Sequence, residues 1–198
     1  MSDLARLNEV ATPLAERARA GDSEAFEELV RESYQQIHRW ALVQAGDPDD
    51  AEDVTQEVLI RLHKGIQRFR GTSRFTTWLF QITRNTAIEL HRRRRTRERL
   101  ADRVRMAHEP ESASPARPDQ TVAEYGIADV VREFLTELPE RQREVFDLVD
   151  LQDVAPIDVS EMLDLKPVTV RANLFRARRA LRARILERYP ELTEEFRP

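Results

Sequence analysis

Apolar side chains recur every three or four positions in three long segments of the first half of this chain, which is the spacing of one face of an α-helix. Turns at 21–23, 46–50 and 71–73 separate these segments. The pattern predicts three long helices that share one core. Their apolar positions are Phe26, Leu29, Val30, Ile37, Trp40, Ala41 and Val43; then Val54, Val58, Leu59 and Leu62; then Phe75, Trp78, Leu79, Ile82, Ile88 and Leu90.

Polar residues at the turns predict where these helices begin. A side-chain oxygen at the N-cap accepts a hydrogen bond from a backbone N–H that has no partner within the helix. We expect Asp22 or Ser23 to cap the first long helix and Asp49 or Asp50 to cap the second, with the third beginning near Arg74.

The two ends of the chain carry weaker patterns. Residues 1–12 are expected to form a loose tail, and Pro13 can open a short helix that ends near Gly21. We therefore assign 1–20 to an N-terminal tail and 189–198 to a C-terminal tail.

A polar segment divides the chain in two. Residues 107–120 hold three prolines and almost no apolar side chain, so they cannot bury enough surface to fold alone. We predict a flexible linker over 106–126. A second set of apolar positions at helical spacing follows it: Ile127, Val130, Val131, Phe134, Leu135, Leu138, Val145, Phe146, Leu148 and Val149, with Pro139 in the first turn of a new helix.

Residues 156–185 have the form of a helix-turn-helix. Pro156 opens a short helix, Asp164 and Leu165 form the turn, and a second helix starts near Pro167. One face of that second helix is apolar and should pack on the domain, which leaves the opposite face free to enter a major groove. The apolar face comprises Val170, Leu174, Ala177, Leu181 and Ile185, and the opposite face comprises Ala172, Phe175, Arg176, Arg179 and Ala183.

Composition supports an all-α protein of two small helical domains joined by a flexible linker. Hydrophobic residues make up 40% of the 198 residues and charged residues 34%, which permits small cores with well-solvated helices. There is no cysteine, which excludes a disulfide scaffold and cysteine-ligated zinc. No signal segment and no apolar run of membrane-spanning length is apparent, so we expect a cytoplasmic protein without membrane insertion.

The net charge of −4 conceals strong segregation along the chain. Residues 84–105 hold nine arginines against three acidic side chains, and 166–188 hold eight basic residues against one acidic residue. Residues 1–60 and 106–165 are strongly acidic. Two basic blocks separated by acidic ones indicate two nucleic-acid faces and acidic surfaces that can bind a protein.

The first basic block follows a cluster of aromatic residues. Residues 69–95 read FRGTSRFTTWLFQITRNTAIELHRRRR. Aromatic rings can stack on unpaired bases and arginines can neutralise phosphates, so the stretch suits single-stranded nucleic acid. Aromatic residues at helical spacing are more often core residues, and we assign Trp78 and Phe80 mainly to the core.

Both blocks resemble bacterial RNA polymerase sigma factors of the sigma-70 family, and their order and spacing resemble the two-domain extracytoplasmic-function (ECF) group. The C-terminal block resembles the domain that reads the promoter −35 element, through Leu138-Pro139, then Arg141, Gln142, Arg143 and Val145, then Thr169-Val170-Arg171 and Arg176-Ala177-Arg178. The N-terminal block resembles the −10 domain over 21 to about 97, through GDSEAFEELV, DAEDVTQEVLIRLHKGIQRFRG and FTTWLFQITRNTAIELHRRRR. The implied domains are 21–105 for region 2 and 127–188 for region 4.

For the −35 element, the resemblance implies that Arg171, Phe175 and Arg176 face bases, because arginine can donate two hydrogen bonds to guanine. Many relatives have glycine where this chain has Asp164, and aspartate tolerates the left-handed conformation that the turn requires. They also carry a Ser-Arg pair in place of Ala172 and Asn173. The full implied set is Lys166, Thr169, Arg171, Ala172, Asn173, Phe175, Arg176 and Arg179, of which Lys166, Thr169 and Arg179 would face the backbone or neighbouring bases.

For the −10 element, the resemblance implies that the loop from Phe69 to Arg74, together with Asn85, captures an extruded base. The implied contacts are Phe69, Arg70, Thr72, Ser73, Arg74, Trp78, Arg84, Asn85, Arg92 and Arg93. The acidic helix before the loop would dock on the clamp of core polymerase. Its implied contacts are Asp50, Asp53, Gln56, Glu57 and Arg61, although a solvated, capped helix end explains the same acidic residues.

The sequence offers no active site of its own. The histidines His38, His63, His91 and His108 lack metal-ligand spacing, and no phosphate loop or nucleophile motif is present, so no cofactor and no metal are expected. We interpret the chain as a promoter-specificity subunit, not an enzyme, with core RNA polymerase and promoter DNA as partners and an anti-sigma factor as a further candidate. The alternatives are a free-standing helix-turn-helix regulator and a helical adaptor that binds only protein.

Overall fold

The computed structural model describes residues 2–105 and 134–190, with the backbone alone for 98–105. Over these ranges the chain is helical and contains no strand. The predicted linker over 106–126 lies outside the described residues. The α-helices are α1 (Asp3–Arg19), α2 (Ser23–Ala45), α3 (Pro48–Gly65), α4 (Phe75–Arg105), α5 (Glu140–Phe146), α6 (Pro156–Leu163) and α7 (Pro167–Arg188); a 3₁₀ turn spans Ile66–Arg68 and a π-helical turn spans Asp147–Leu151.

Residues 3–12 are not part of a loose tail as the sequence predicted, because helix α1 spans Asp3–Arg19. Its first turn is capped, since the Ser2 hydroxyl accepts a hydrogen bond from the Ala5 N–H at 3.3 Å. Pro13 lies inside this helix and does not open it. Leu4, Leu7, Ala11, Leu14, Ala15 and Ala18 are buried against the other helices, and this packing stabilises α1 despite the proline.

Helices α1 to α4 form the N-terminal unit. Ile37, Leu62 and Leu79 are fully buried, and the rings of Trp40 and Phe80 meet edge to face with their centroids 5.1 Å apart. Most of the predicted apolar positions thus face one core, as the sequence indicated, but the prediction was wrong for Ile88, which is 40% exposed.

Aspartates cap two helices of this unit. Asp22 caps α2 by accepting from the Ala25 N–H at 3.0 Å, as expected. For α3 the predicted cap was wrong. Asp47 is the N-cap, accepting from the N–H groups of Asp49 and Asp50, because Pro48 fills the first helical position.

Helices α5 to α7 form the C-terminal unit. Asp164 ends α6 in the left-handed conformation at φ 51°, which confirms that aspartate serves the helix-turn-helix where the family often has glycine. All five residues predicted for the packed face of α7 are buried. Tyr189, assigned to a tail, is only 7% exposed and belongs to the core.

Candidate nucleic-acid interface

The outward face of α7 is exposed as the sequence predicted at Phe175, Arg176, Arg179 and Ala183, but not at Ala172, which is half-buried. Arg171, Arg176 and Arg179 are exposed, as is Lys166 at the start of the helix. The Phe175 ring lies among them, and Phe175 is 67% exposed. In a major groove, an exposed aromatic ring can contact a thymine methyl group, and the guanidinium groups beside it can donate hydrogen bonds to guanine edges.

Three other polar residues of α7, Thr169, Asn173 and Arg178, are less available for contacts with DNA. The Asn173 side chain donates to the Thr169 carbonyl at 2.9 Å, so one of its two amide hydrogens is already used, and Asn173, Thr169 and Ala172 are half-buried. Arg178 donates to both carboxylate oxygens of Asp150, at 2.9 and 2.6 Å, and this pairing raises the pKa of Arg178. Arg178 is therefore bound to its own unit.

The aromatic cluster at the start of α4 belongs to the core. Phe69 is 3% exposed, and its ring packs 5.5 Å from that of Phe75 and 5.1 Å from that of Trp78, measured between centroids. The Phe69 ring is therefore unavailable to a base in this conformation, contrary to its place in the predicted −10 set. Trp78 is half-buried.

The loop between Phe69 and α4 is open to solvent. Arg70, Thr72, Ser73 and Arg74 are exposed, and Gly71 takes a positive φ of 67°, which favours glycine. Helix α1 holds both ends of the loop. Arg19 donates to the Phe69 carbonyl at 3.3 Å, and the Asn8 side-chain oxygen accepts from the Thr76 N–H at 3.3 Å. Sequence reasoning missed Asn8 and Arg19 because it missed α1.

Two arginines predicted to contact DNA are held by carboxylates of the C-terminal unit. Arg84 donates from Nε to Glu144 at 2.6 Å and from Nη2 to Glu140 at 2.9 Å, which leaves its side chain 17% exposed. Arg74 lies 2.7 Å from Asp158. By contrast Asn85 and Arg92 are exposed, and Arg93 bonds to Glu89 on its own helix.

The predicted polymerase-docking residues lie on the outer side of α3. Asp53 and Gln56 are exposed, and Asp50 pairs with Arg94. Arg61 is held by Glu57 at 2.7 Å and by Glu89 at 2.8 Å. These pairings raise the pKa of Arg61 and lower that of Glu89, so both groups are held in their charged forms.

Each of the two units matches the model of a known protein family. The model for Sigma-70 region 2 matches residues 18–97, and the model for Sigma-70, region 4 matches residues 128–181. The ECF sigma factor SigM of Mycobacterium tuberculosis is 31% identical over 176 residues, covering 84% of this chain and 80% of SigM. SigW of Bacillus subtilis is 25% identical, covering 85% of this chain and 93% of SigW.

A solved structure shows the same fold. CnrH, in complex with the cytosolic domain of CnrY, matches with a TM-score of 0.64 at 22% identity, over 89% of this chain and 97% of CnrH. The chain belongs to the sigma-70 family, within its ECF group. It is a sigma subunit, which directs transcription initiation by RNA polymerase.

Among the side chains described, those of residues 2–97 and 134–190, no three histidine or acidic residues are grouped so as to hold a metal ion. In the same part of the chain, no helix is long and apolar enough to cross a membrane.

Proposed function

We propose that α7 reads the −35 element, that the loop at 70–74 and Asn85 capture an extruded −10 base, and that α3 docks on core polymerase. The observation that carries this assignment is the exposed Arg171, Phe175 and Arg176 face on the helix that the region 4 match covers. Polymerase supplies the catalysis, and this chain supplies promoter choice and strand opening in the cytoplasm.

The −10 assignment rests on the exposed loop at 70–74 and on the exposed Asn85 of α4. Extruding a base costs a few kcal/mol, which a pocket that hydrogen-bonds the base edge can offset. Arg92 on the next turns of α4 would contact phosphates. The polymerase contact rests on the exposed Asp53 and Gln56 of α3.

An anti-sigma factor is a proposed partner as well. RpoE of Bartonella quintana, which matches this fold with a TM-score of 0.59, was solved with the anti-sigma factor NepR. The free-standing regulator has no observation in its favour, because the family matches span both units and not only the helix-turn-helix.

Run-off transcription tests the proposal. Core polymerase with this chain should produce discrete transcripts from a subset of genomic fragments, and either component alone should not. Promoter fragments should shift in native gels only when both are present. Tight specific binding by the chain alone would instead support a free-standing regulator, and no binding under any condition would support a protein adaptor.

A further inference from the structure

Helix α1 lies almost wholly outside the family match to the N-terminal unit. The Sigma-70 region 2 match begins at residue 18, whereas α1 begins at Asp3. Leu7 and Leu14 of α1 are nevertheless buried in the same core as the apolar residues of α2, α3 and α4. The family match therefore assigns no role to α1, although this helix is built into the unit that the match covers.

The residue that precedes α4 cannot cap this helix with its own side chain. The Arg74 carbonyl accepts from the Trp78 N–H at 3.1 Å, which places Arg74 in the N-cap position of α4. A helix leaves its first N–H groups without partners inside the helix, and the N-cap side chain usually accepts from one of them. Because arginine carries only donors, the Arg74 side chain has no atom that could accept this hydrogen bond. The acceptor has to come from another residue.

Asn8 of α1 supplies that acceptor. Its side-chain oxygen accepts from the Thr76 N–H and from the Thr76 hydroxyl, both at 3.3 Å. Asn8 is half-buried and Thr76 is only 3% exposed, so the contact is largely shielded from water. The contact fixes the first turn of α4, and position 74 can hold an arginine that projects to solvent because Asn8 replaces the usual N-cap side chain.

The other end of the loop at 70–74 is also held by α1. Phe69 follows the 3₁₀ turn Ile66–Arg68, and its carbonyl accepts from Arg19 at 3.3 Å. The Phe69 and Phe75 rings pack edge to face with their centroids 5.5 Å apart, so the two ends of the loop also contact each other. Between these ends the loop is open: a Cβ added at Gly71 would meet no described atom within 4 Å apart from its chain neighbours. The loop is therefore held at its two ends, and α1 bonds to both.

We propose that α1 positions the loop at 70–74 for base selection at the −10 element, with Asn8 and Arg19 as its positioning residues. The proposal rests on the −10 assignment above. Neither residue has to touch DNA, because Asn8 holds the start of α4 and Arg19 holds the end of the 3₁₀ turn. A loop that is already ordered pays less conformational entropy when the extruded base binds, and a tightly held pocket discriminates better between bases.

Amide hydrogen exchange of the full chain, followed by NMR, tests the contact between α1 and α4. Asn8→Ala removes the acceptor and should raise the exchange rate of the Thr76 amide about 2- to 30-fold, the effect expected from the loss of a helix cap. Asn8→Asp keeps an acceptor oxygen at the N-terminus of α4, where negative charge is favourable, and should leave the exchange rate near that of the natural chain. Circular dichroism checks that both variants remain helical.

Promoter opening by core polymerase with the full chain tests base selection. The assay compares promoters that carry each of the four bases at successive −10 positions, with the same series at −35 as the internal reference. Asn8→Ala and Arg19→Met should each reduce the preference for the favoured −10 base by about 2- to 30-fold, the range expected of residues that act through others. The −35 preference should not change, and Asn8→Asp should restore the −10 preference.

Arg6→Met is the matched control for Arg19→Met. Arg6 is an exposed arginine of the same helix, and no described hydrogen bond joins its side chain to the loop. The variant should therefore keep the −10 preference of the natural chain.

Unchanged Thr76 exchange in Asn8→Ala would overturn the proposal, as would an equal loss of preference at −35 and −10, which would indicate general damage to the subunit. The loop variant Thr72→Ala separates the proposal from the −10 assignment. If Thr72→Ala alters the −10 preference while Asn8→Ala and Arg19→Met do not, the assignment stands and the positioning role fails. If neither Thr72→Ala nor Asn85→Ala alters that preference, the −10 assignment itself fails, and the base-selection role of α1 fails with it.

Discussion

Arg84 and Glu144 form an ion pair across the two units, with Nε and Oε1 2.6 Å apart and the glutamate side chain fully buried. Arg84 belongs to the helix that carries the proposed −10 surface. The residue predicted to contact DNA is therefore also an ion-pair partner of the C-terminal unit in this structure.

Removing either partner of this pair should reveal coupling between the units. We expect Glu144→Gln and Arg84→Met each to lower the free energy of unfolding, and the double variant to lose about 1–3 kcal/mol less than the sum of the two. Urea unfolding of the four proteins measures the coupling. A cycle on Arg17 and Asp22, an exposed pair, is the control and should give about 0–1 kcal/mol. Strict additivity at Arg84 and Glu144 would show that the contact contributes nothing.

Base reading by α7 can be tested with two arginines of one helix. Arg176→Ala should weaken −35 binding by about 1–3 kcal/mol and relax preference at one base pair, because Arg176 is exposed on the outward face. Arg178→Ala is the matched control, since Asp150 binds Arg178 on both oxygens. Selection from randomised −35 sequences measures both. An unchanged preference for Arg176→Ala would refute the assignment.

Polymerase docking should depend on the acidic side of α3. Reversing the charge of Asp53 and Glu57 together should abolish capture by core polymerase while the helical signal in circular dichroism persists, since surface changes usually cost little stability. Reversing Glu28 and Glu32, exposed on α2, is the control for net charge. Undiminished capture of the first variant would place the docking face elsewhere.

Asp147 should make stability depend on pH. Burial raises the pKa of Asp147 to about 6, against an ordinary value of 3.8. Its contribution to stability is therefore complete below about pH 4 and is lost as pH rises through about 6. Asp147→Asn should gain stability relative to the natural chain over that window, by up to about 3 kcal/mol. Urea unfolding of both proteins at pH 4, 5, 6 and 7 measures the difference, and a difference that is constant with pH would contradict it.

Apolar spacing and turn residues were enough to predict the helix-turn-helix, because they act locally. The left-handed conformation of Asp164 and the burial of Val170 depend on residues close to them in sequence, so both could be predicted. Helix α1 was missed because a proline predicts the first turn of a helix. In the structure Pro13 lies inside α1, which tertiary packing stabilises. The role of Glu144 was not predictable, since its partners Arg84 and Gln44 are distant in sequence. A glutamate on a short amphipathic helix carries no sign that it is buried.

Promoter opening separates a sigma subunit from other DNA-binding proteins, and Asn85 is the residue on which the proposed base pocket depends. Asn85→Ala should impair open-complex formation more than initial binding, since Asn85 would hold only the extruded base. Replacing Arg92 and Arg93 should instead weaken binding broadly and flatten its salt dependence, by roughly one unit of slope for each phosphate contact. Filter binding at several salt concentrations measures initial binding.

Permanganate footprinting of unpaired thymines, in complexes with core polymerase on a promoter mapped by run-off transcription, is the most direct test. The proposed pocket predicts strong −10 thymine reactivity with the natural chain and a marked loss with Asn85→Ala at equal promoter occupancy. Equal reactivity in the two complexes would contradict the pocket, and no reactivity with the natural chain would contradict promoter opening itself.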